Sequence, residues 1–154
     1  MTFVAKIEAR AYSRATELPE RVESAILNVF PENLRKEVAV SSSKAEGHSG
    51  YNIRIIVATL KKVQGGESTL DYIFASFDDR DQRRVKNSLL QRLDENCSFF
   101  LRIDKQAAFL GRLVLADRPD VISVKIDIKQ YPKCKQEDAI EMLETRLHVA
   151  GGED

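Results

Sequence analysis

Short connections between strand-like segments constrain the fold of this chain most. Residues 3–12 alternate in a way that predicts a half-buried strand, one side of which holds Phe3, Ala5, Ile7, Ala9 and Ala11. Five further segments are predicted as strands: 36–44, 52–61, 98–103, 109–116 and 121–129. Most connections between neighbouring strands are too short for the crossover that a parallel pair requires. The sheet is therefore predicted to be mainly antiparallel.

Apolar residues at helical spacing predict helices at both ends of the chain. The first helix has Thr16 as its cap, Pro19 in its first turn and a stop at Pro31. The last is predicted over 136–148, where apolar residues form one stripe. The predicted fold class is α+β, a two-layer sandwich in which helices cover one face of the sheet.

Two further helices are predicted in the middle of the chain. Residues 64–67 are polar and glycine-rich and are predicted as a loop. The sequence at 68–71 resembles a capping box and is expected to open a short helix. The acidic run at 78–81 is expected to end that helix, and another helix then runs to about Leu93.

The composition fits one small domain. Hydrophobic residues make up 43% of the 154 residues, which is enough to build a core. Charged residues make up 31%, which is too many for a membrane protein. Residues 1–131 are predicted to form the domain, and 132–154 a C-terminal acidic helix and tail. The longest apolar runs, such as 55–58, are far shorter than the roughly 20 residues of a membrane helix. The N-terminus has no secretion-signal pattern, so a cytoplasmic protein without membrane contact is expected.

Cysteine and histidine are scarce. Cys97 and Cys134 are far apart and fit no metal-binding spacing, so each is expected to be a free, buried thiol in a reducing cytosol. With His48 and His148 as the two histidines, zinc binding by a histidine cluster is nearly excluded. Neither a cofactor nor a metal is expected.

The net charge of zero conceals an asymmetry. Residues 136–154 contain six acids and one base, while the rest of the chain carries 23 bases and 18 acids. The body is mildly basic and can attract phosphate, as many ordinary domains can. The acidic terminal helix has three alternatives: it packs on its own domain, covers the basic face, or mediates dimerisation.

The two-layer fold leaves one sheet face open, and strand parity predicts which residues line it. This face combines bases with aromatic rings: Lys6, Arg10, Arg54, Arg102, Arg112, Lys125 and Lys129, with Phe100 and Tyr12. Glu8 and Asp127 interrupt it. Rings stack on the bases of single-stranded RNA while arginine and lysine contact phosphates, so the face is a candidate RNA platform. An ordinary solvated strand face explains the same pattern.

Three motifs carry a resemblance to a known family. They are Ala15-Thr16-Glu17, the sequence EGHSGYNI at 46–53, and LRIDKQAAFLG at 101–111. In this order they resemble the motifs of the archaeal family of predicted exosome-associated RNA-binding proteins, over roughly residues 4–129. Ile103 and Phe109 stand where that family has leucine and tyrosine. Within the second motif, the turn SGYN departs further from the family pattern.

The resemblance implies a fold similar to that of the ribosomal protein that binds 5S RNA, and an RNA-binding role linked to the exosome or to RNA processing. Physically, Lys105 is placed to contact a phosphate, and Gln106 a base edge or sugar hydroxyl. Asp104 is more simply explained as a turn-forming residue. His48 has two interpretations, an RNA contact or general base, and an exposed turn histidine.

The candidate RNA-binding residues are Arg10, His48, Arg54, Phe100, Arg102, Lys105, Gln106, Arg112 and Lys125. No catalytic residue is predicted, because the dense acid cluster at 78–81 sits at a helix start, where aspartate serves as a cap. A nuclease is therefore the least favoured function. The main alternative to RNA binding is a protein-interaction subunit or homodimeric scaffold that uses the open face. Exosome or other RNA-processing proteins are expected as partners.

Overall fold

The computed structural model of the chain describes residues 2–45, 53–61 and 63–147, with the backbone alone at 63 and 64. The elements are, in order, β1 (Thr2–Ser13), α1 (Pro19–Leu27), a 3-10 helix (Glu32–Glu37), β2 (Ala39–Ala45), β3 (Ile53–Leu60), α2 (Val63–Ser76), α3 (Asp79–Lys86), α4 (Leu89–Arg92), β4 (Ser98–Asp104), α5 (Lys105–Phe109), β5 (Val121–Gln130) and α6 (Gln136–Thr145).

β1 lies at the centre of a five-stranded sheet with the order β2-β3-β1-β5-β4. All four neighbouring pairs are antiparallel. Helices pack on one face and bury alternate residues of the strands, among them Ile7, Ile56, Leu101 and Ile126. The predicted α+β class with a mainly antiparallel sheet is confirmed.

The alternation predicted for β1 is broken near its start. The pairing of β1 with β5 shifts register between Val4 and Lys6. Beyond this irregularity, Ile7 and Ala9 are buried as the alternation predicts. Before it, the buried residue is Val4, while the ring of Phe3 lies 6.1 Å from that of Tyr131. A β-bulge changes which side chains face inward, and this one reverses the predicted orientation of Phe3.

The first helix begins later than predicted. Its N-cap position is occupied by Leu18, whose side chain makes no capping hydrogen bond, and Pro19 occupies the first turn as predicted. Thr16 is therefore not the cap. The chain leaves α1 at Asn28, ahead of Pro31, and the 3-10 helix that follows delays the start of β2 to Ala39.

The predicted loop at 64–67 is wrong, because α2 already begins at Val63. Gly65 and Gly66 lie in its first turn and face the sheet. A Cβ atom on Gly66 would lie 2.8 Å from Cγ1 of Val4, so the absence of a side chain lets the helix approach β1 closely. The capping-box sequence that begins at Ser68 is interior to this helix. In the described ranges, no helix is long and apolar enough to cross a membrane.

The acidic run after α2 acts as a cap. Asp78 is the N-cap of α3, and its carboxylate accepts the backbone N–H of Asp81 at 2.8 Å. The single helix predicted to run to Leu93 is instead divided at Asn87 and Ser88 into α3 and α4. Leu93 itself is buried beyond the end of α4.

The predicted strand at 109–116 is absent. The chain forms the short helix α5 and turns at Gly111, where φ is +85° and glycine avoids the strain that a side chain would bring. Leu113 and Leu115 are buried, and Leu115 makes an isolated bridge to Ile103. Alternating apolar residues thus line an irregular segment that packs on the core.

The C-terminal helix shares the core of the domain. Ala139, Leu143 and Leu147 are buried, and Arg146 donates to Asp71 of α2 at 2.7 Å. Of the three alternatives for this helix, packing on its own domain is observed for its described part. The division of the chain between residues 131 and 132 stays a prediction.

Cys97 and Cys134 form a disulfide, so the prediction of two free thiols is wrong. The bond joins the turn before β4 to the segment before α6, across a sequence separation of 37 residues. That turn is further held by Asp94, whose carboxylate accepts the backbone N–H groups of Asn96 and Ser98 at 2.9 and 2.8 Å.

Candidate nucleic-acid interface

The sheet face that the helices leave uncovered presents side chains in rows across the strands. We call it the open face, and its members on β1, β3, β4 and β5 include Lys6, Glu8, Arg10, Tyr12, Ile53, Ile55, Val57, Thr59, Phe100, Arg102, Ser123, Lys125, Asp127 and Lys129. One row passes from Val57 through Arg10 and Ser123 to Arg102. With strands about 4.8 Å apart, the backbones at Arg10 and Arg102 are roughly 10 Å apart, so their guanidinium groups can contact different phosphates of one strand.

The aromatic residues predicted for this face are exposed. Phe100 pairs with Lys125 on the row next to Arg10 and Arg102, and 41% of its surface is accessible. Tyr12 is 51% accessible and pairs with Ile55 of β3. A phenyl ring that stands beside a lysine and one row from two arginines offers stacking and charge together.

The acids of the open face make long, exposed ion pairs with its bases. Asp127 lies 3.7 Å from the ammonium of Lys6 and 4.0 Å from that of Lys125, and Glu8 lies 3.9 Å from the guanidinium of Arg10. Surface pairs of this kind contribute about 0–1 kcal/mol. An incoming phosphate can therefore compete for these cations at small cost.

Arg54 does not lie on the open face, so this prediction is wrong. It shares a side of β3 with the buried Ile56 and lies at the rim of the helical side, where its Nε donates to Oγ of Ser42 at 2.8 Å. Its neighbours Ile53 and Ile55 point to the open face instead. β3 carries apolar residues on both of its sides. The alternation of residue types therefore did not show which side faces the core, and Arg54 was assigned to the wrong side.

Two of the three sequence motifs meet at one end of the sheet, which we call the motif end (residues 13–17, 104–109 and 120). β1 ends at Ser13 opposite Arg54, and β4 ends at Asp104 opposite Val121. The segment that leaves β1 and the helix that leaves β4 therefore start from the same edge. The strands β2 and β3, which flank the remaining motif, have Lys44 and Arg54 at this edge. Residues 46–52 of that motif, including His48, lie outside the described residues.

Lys105 is an internal cross-link of the motif end. Its side chain is 3% exposed, and its ammonium lies 2.8 Å from Asp120 and 2.9 Å from Glu17. It also donates to the backbone carbonyl of Tyr12 at 3.0 Å. Lys105 was predicted to lie on a turn and to contact a phosphate, but its ammonium is buried and already bound by these groups. The same ammonium ties α5 to the end of β1 and to the residue before β5.

Two carboxylates of the motif end, Asp120 and Asp104, have lowered pKa values. Burial alone raises the pKa of Asp120, but hydrogen bonds from Lys105 and Gln106 and the charges of Lys105 and Arg14 bring it below its usual value. Burial likewise opposes ionisation of Asp104, yet the N–H of Ala107 at 2.9 Å and Arg118 at 3.0 Å lower its pKa. Asp104 is the N-cap of α5, which confirms its interpretation as a turn-forming residue.

The remaining motif residue predicted to contact RNA, Gln106, is exposed. Its Nε2 donates to Oδ2 of Asp120 at 3.0 Å, which orients the amide at the surface. Arg112 is also exposed, but it lies in the turn after α5, where its backbone N–H donates to the carbonyl of Ala107 at 2.9 Å. Its predicted place on a strand of the open face is therefore wrong.

Two adjacent clefts open at the motif end, and Glu17 lines both. The aromatic cleft has a volume of about 420 Å³ and is lined by Leu18, Arg21, Gln106 and Phe109, among others. The guanidinium carbon of Arg21 lies 5.6 Å from the centre of the Phe109 ring.

The basic cleft has a volume of about 370 Å³ and includes Arg14, Lys44 and Arg54 in its lining. Sequence reasoning did not name Arg14, Arg21 or Lys44 as site residues, because none belongs to a periodic pattern. Their proximity in sequence to Ala15-Thr16-Glu17 and to the motif at 46–53 was the available signal.

Two of the three acids at 78–81, Asp78 and Asp81, have structural partners. Besides the cap made by Asp78, Asp81 accepts the backbone N–H of Leu115 at 3.0 Å and pairs with Arg84 at 3.0 Å. Within residues 2–45, 53–61 and 63–147, no group of three or more histidine, cysteine, aspartate or glutamate side chains is arranged to hold a metal ion.

The fold and its charged open face place the chain among α+β domains built on an open antiparallel sheet. Residues 6–128 match the family model described as RNA binding, and the chain belongs to that family. A protein of Pyrococcus abyssi named RNA-binding protein PAB1135 is 30% identical over 131 residues, which cover 84% of this chain and 85% of that protein.

Solved structures of similar proteins have the same fold. Protein AF2318 from Archaeglobus fulgidus aligns with a TM-score of 0.78 at 29% identity, over 93% of this chain and 99% of that one. Mth689 of Methanothermobacter thermautotrophicus, a DUF54 protein, aligns with a TM-score of 0.76 at 27% identity, over 95% of this chain and 99% of that one.

Proposed function

We propose that this protein binds single-stranded RNA on its open face and catalyses no reaction on it. The observation that carries the proposal is the row containing Arg10 and Arg102, with the exposed ring of Phe100 one row away. Membership of the RNA-binding family supports the nucleic acid as ligand. The uncovered sheet supports single-stranded RNA as the form that binds, because the unpaired bases of the RNA can lie flat on exposed aromatic rings.

The chemistry divides between charge and stacking. Arg10, Arg102 and Lys125 contact phosphates, which binds RNA of any sequence and makes the affinity fall as salt rises. Phe100 stacks on a base and favours a single strand over a duplex, in which bases are already stacked. The carboxylates of Glu8 and Asp127 divide the positive surface and set the path of the strand.

We propose a cytoplasmic role as an accessory factor of RNA processing. The resemblance of the motifs supports the exosome as the assembly that this protein serves, and a fold like that of the 5S-binding ribosomal protein remains part of the proposal. The acidic α6 packs among the helices, so its described residues leave the open face accessible.

The test is titration of the full chain into labelled single-stranded RNA, duplex RNA and DNA at several salt concentrations. The double variant Arg10→Ala/Arg102→Ala is expected to bind single-stranded RNA at least tenfold more weakly. Its salt slope should fall by about 1.4, since each lost contact to a single strand removes about 0.7. Lys36→Ala/Arg80→Ala, which removes one exposed base from the 3-10 helix and one from α3, is the control and should bind like the wild type.

A second candidate function is a homodimeric scaffold, favoured by the half-buried Ile53, Ile55 and Val57 at one side of the open face. Sedimentation of the wild type and of Ile55→Lys separates the two functions. A stable dimer that Ile55→Lys dissociates, together with no RNA binding at low salt, would replace the RNA proposal. If the wild type is a monomer and binds RNA, the RNA-binding proposal stands.

A further inference from the structure

We infer that the two clefts of the motif end together hold one unpaired nucleotide of the RNA, with the base in the aromatic cleft and a phosphate in the basic cleft. This inference rests on the proposed RNA-binding function and adds a site outside the open face. It uses Arg14, Arg21, Lys44 and Phe109, which the open-face proposal leaves without a role.

The aromatic cleft has the chemistry of a base site. Phe109 is 37% exposed, and Arg21 lies over its ring. Because the guanidinium of Arg21 covers one face of this ring, an entering base stacks on the other face or on the plane of the guanidinium itself. Leu18, which is 58% exposed, supplies an apolar wall, and the amide of Gln106 supplies hydrogen bonding to a base edge. The volume of about 420 Å³ falls within the range of small-ligand sites.

The basic cleft has the charge of a phosphate site. Arg14, Lys44 and Arg54 contribute three cations to its lining, and Glu17 contributes the carboxylate. That carboxylate lies 2.9 Å from the ammonium of Lys105, which it shares with Asp120, and it accepts the backbone N–H of Arg14 at 3.0 Å. An entering phosphate therefore meets an excess of positive charge and a fixed wall, which suits charge-assisted hydrogen bonds.

The arrangement of the clefts favours a nucleotide as the occupant. Glu17 lines both a cleft of mixed polar and apolar lining that holds one aromatic ring and a cleft rich in cations, and a nucleotide presents a flat base and an anionic phosphate side by side. The basic cleft lies at the edge of the sheet next to the end of the open face, with Ser13 and Arg54 of the helical side in its lining. β1 carries Arg10 and Tyr12 on that face, and two residues beyond Tyr12 the chain reaches Arg14 in the basic cleft. A strand of RNA on the open face is thus led to the motif end.

The test compares ordinary single-stranded RNA with a base-free ribose-phosphate oligomer of the same length. Phe109→Leu keeps an apolar side chain and removes the ring. It is expected to weaken binding of ordinary RNA about tenfold, as the loss of one stacked base does. It should leave binding of the base-free oligomer unchanged. Arg14→Ala should weaken both ligands and lower the salt slope by about 0.7.

Leu110→Ala is the matched control, because Leu110 follows Phe109 directly and is 68% exposed. It should bind both ligands like the wild type. If Phe109→Leu and the wild type bind ordinary RNA equally while Arg10→Ala/Arg102→Ala binds weakly, the nucleotide site is overturned and the open-face proposal survives. An equal loss on both ligands also overturns the base site, since it marks a packing defect. A folded wild type that binds no RNA overturns both proposals.

Discussion

The open face and the motif end both carry lysines that looked alike in sequence, and the structure gives them opposite roles. Lys125 on the open face lies 4.0 Å from Asp127, with 43% of its side chain exposed. Lys105 at the motif end is 3% exposed and lies within 3.0 Å of two carboxylates and a carbonyl. The comparison shows that a basic residue within a recognisable motif can be a buried structural contact, which leaves RNA contact, in our proposal, to its neighbours.

The largest expected effect is the loss of the buried ammonium. Lys105→Ala leaves Glu17 and Asp120 without their shared partner, and breaking a buried ion pair costs about 3–5 kcal/mol. We expect a reduction of that size in the free energy of unfolding, measured by urea denaturation. Lys125→Ala should change it by less than about 1 kcal/mol. Equal effects of the two substitutions would abolish the distinction between the regions.

Removal of the disulfide is expected to lower the stability of the fold without changing RNA affinity. It lies near the start of β4, at the opposite end of the sheet from the motif end. Reduction with dithiothreitol, or Cys134→Ala, should lower the free energy of unfolding by about 2–4 kcal/mol, the usual contribution of such a cross-link. RNA affinity, measured at a temperature where the reduced protein is folded, should remain within about twofold. A large loss of affinity would show that the two ends are coupled.

Acid should weaken the motif end specifically. Because the pKa of Asp120 and that of Asp104 are lowered in the folded protein, their contribution to stability is complete above the unfolded-state values near 4. It is lost as the pH falls through the lower folded values. Asp120→Asn should therefore be less stable than the wild type at pH 7, and the difference should narrow below about pH 4. A constant difference across the acid range would contradict this account.

The smallest effect is expected from the acidic helix. Glu141 and Glu144 are exposed on α6, which packs on the core through Ala139 and Leu143. Glu141→Gln/Glu144→Gln should leave RNA affinity within about twofold, because the helix lies on the covered side of the sheet. An increase in affinity of tenfold would instead support an autoinhibitory role for the acidic C-terminal segment.

Sequence reasoning succeeded where one local rule determined the result. The alternation of β1 beyond its bulge, the exposed rings of Phe100 and Tyr12, and the capping role of Asp78 follow from such rules. It failed where a distant contact decided. Gly65 and Gly66 predicted a loop, but they lie in α2, where the missing side chain of Gly66 lets the helix approach Val4, and no local signal conveys this distant contact.

The site was less predictable than the fold for a related reason. Arg54 was assigned to the wrong face because β3 is apolar on both sides, so the alternation of its residues is compatible with either orientation of the strand. Lys105 was misassigned because its partners Glu17 and Asp120 are remote in sequence. The pairing of Cys97 with Cys134 also depends on the folded path of the chain, which brings their Cα atoms to 6.3 Å.

In our proposal β1 joins two RNA contacts, the open face and the basic cleft, and this has a consequence for how affinity depends on the length of the RNA. Arg10 on the open face and Arg14 in the basic cleft are four residues apart, about 13 Å along an extended chain. Lys105 fastens the end of that strand, so the two contact regions are fixed with respect to each other. An RNA that spans both binds the second at high effective concentration once it occupies the first. Affinity should therefore rise steeply at one threshold length and change little beyond it.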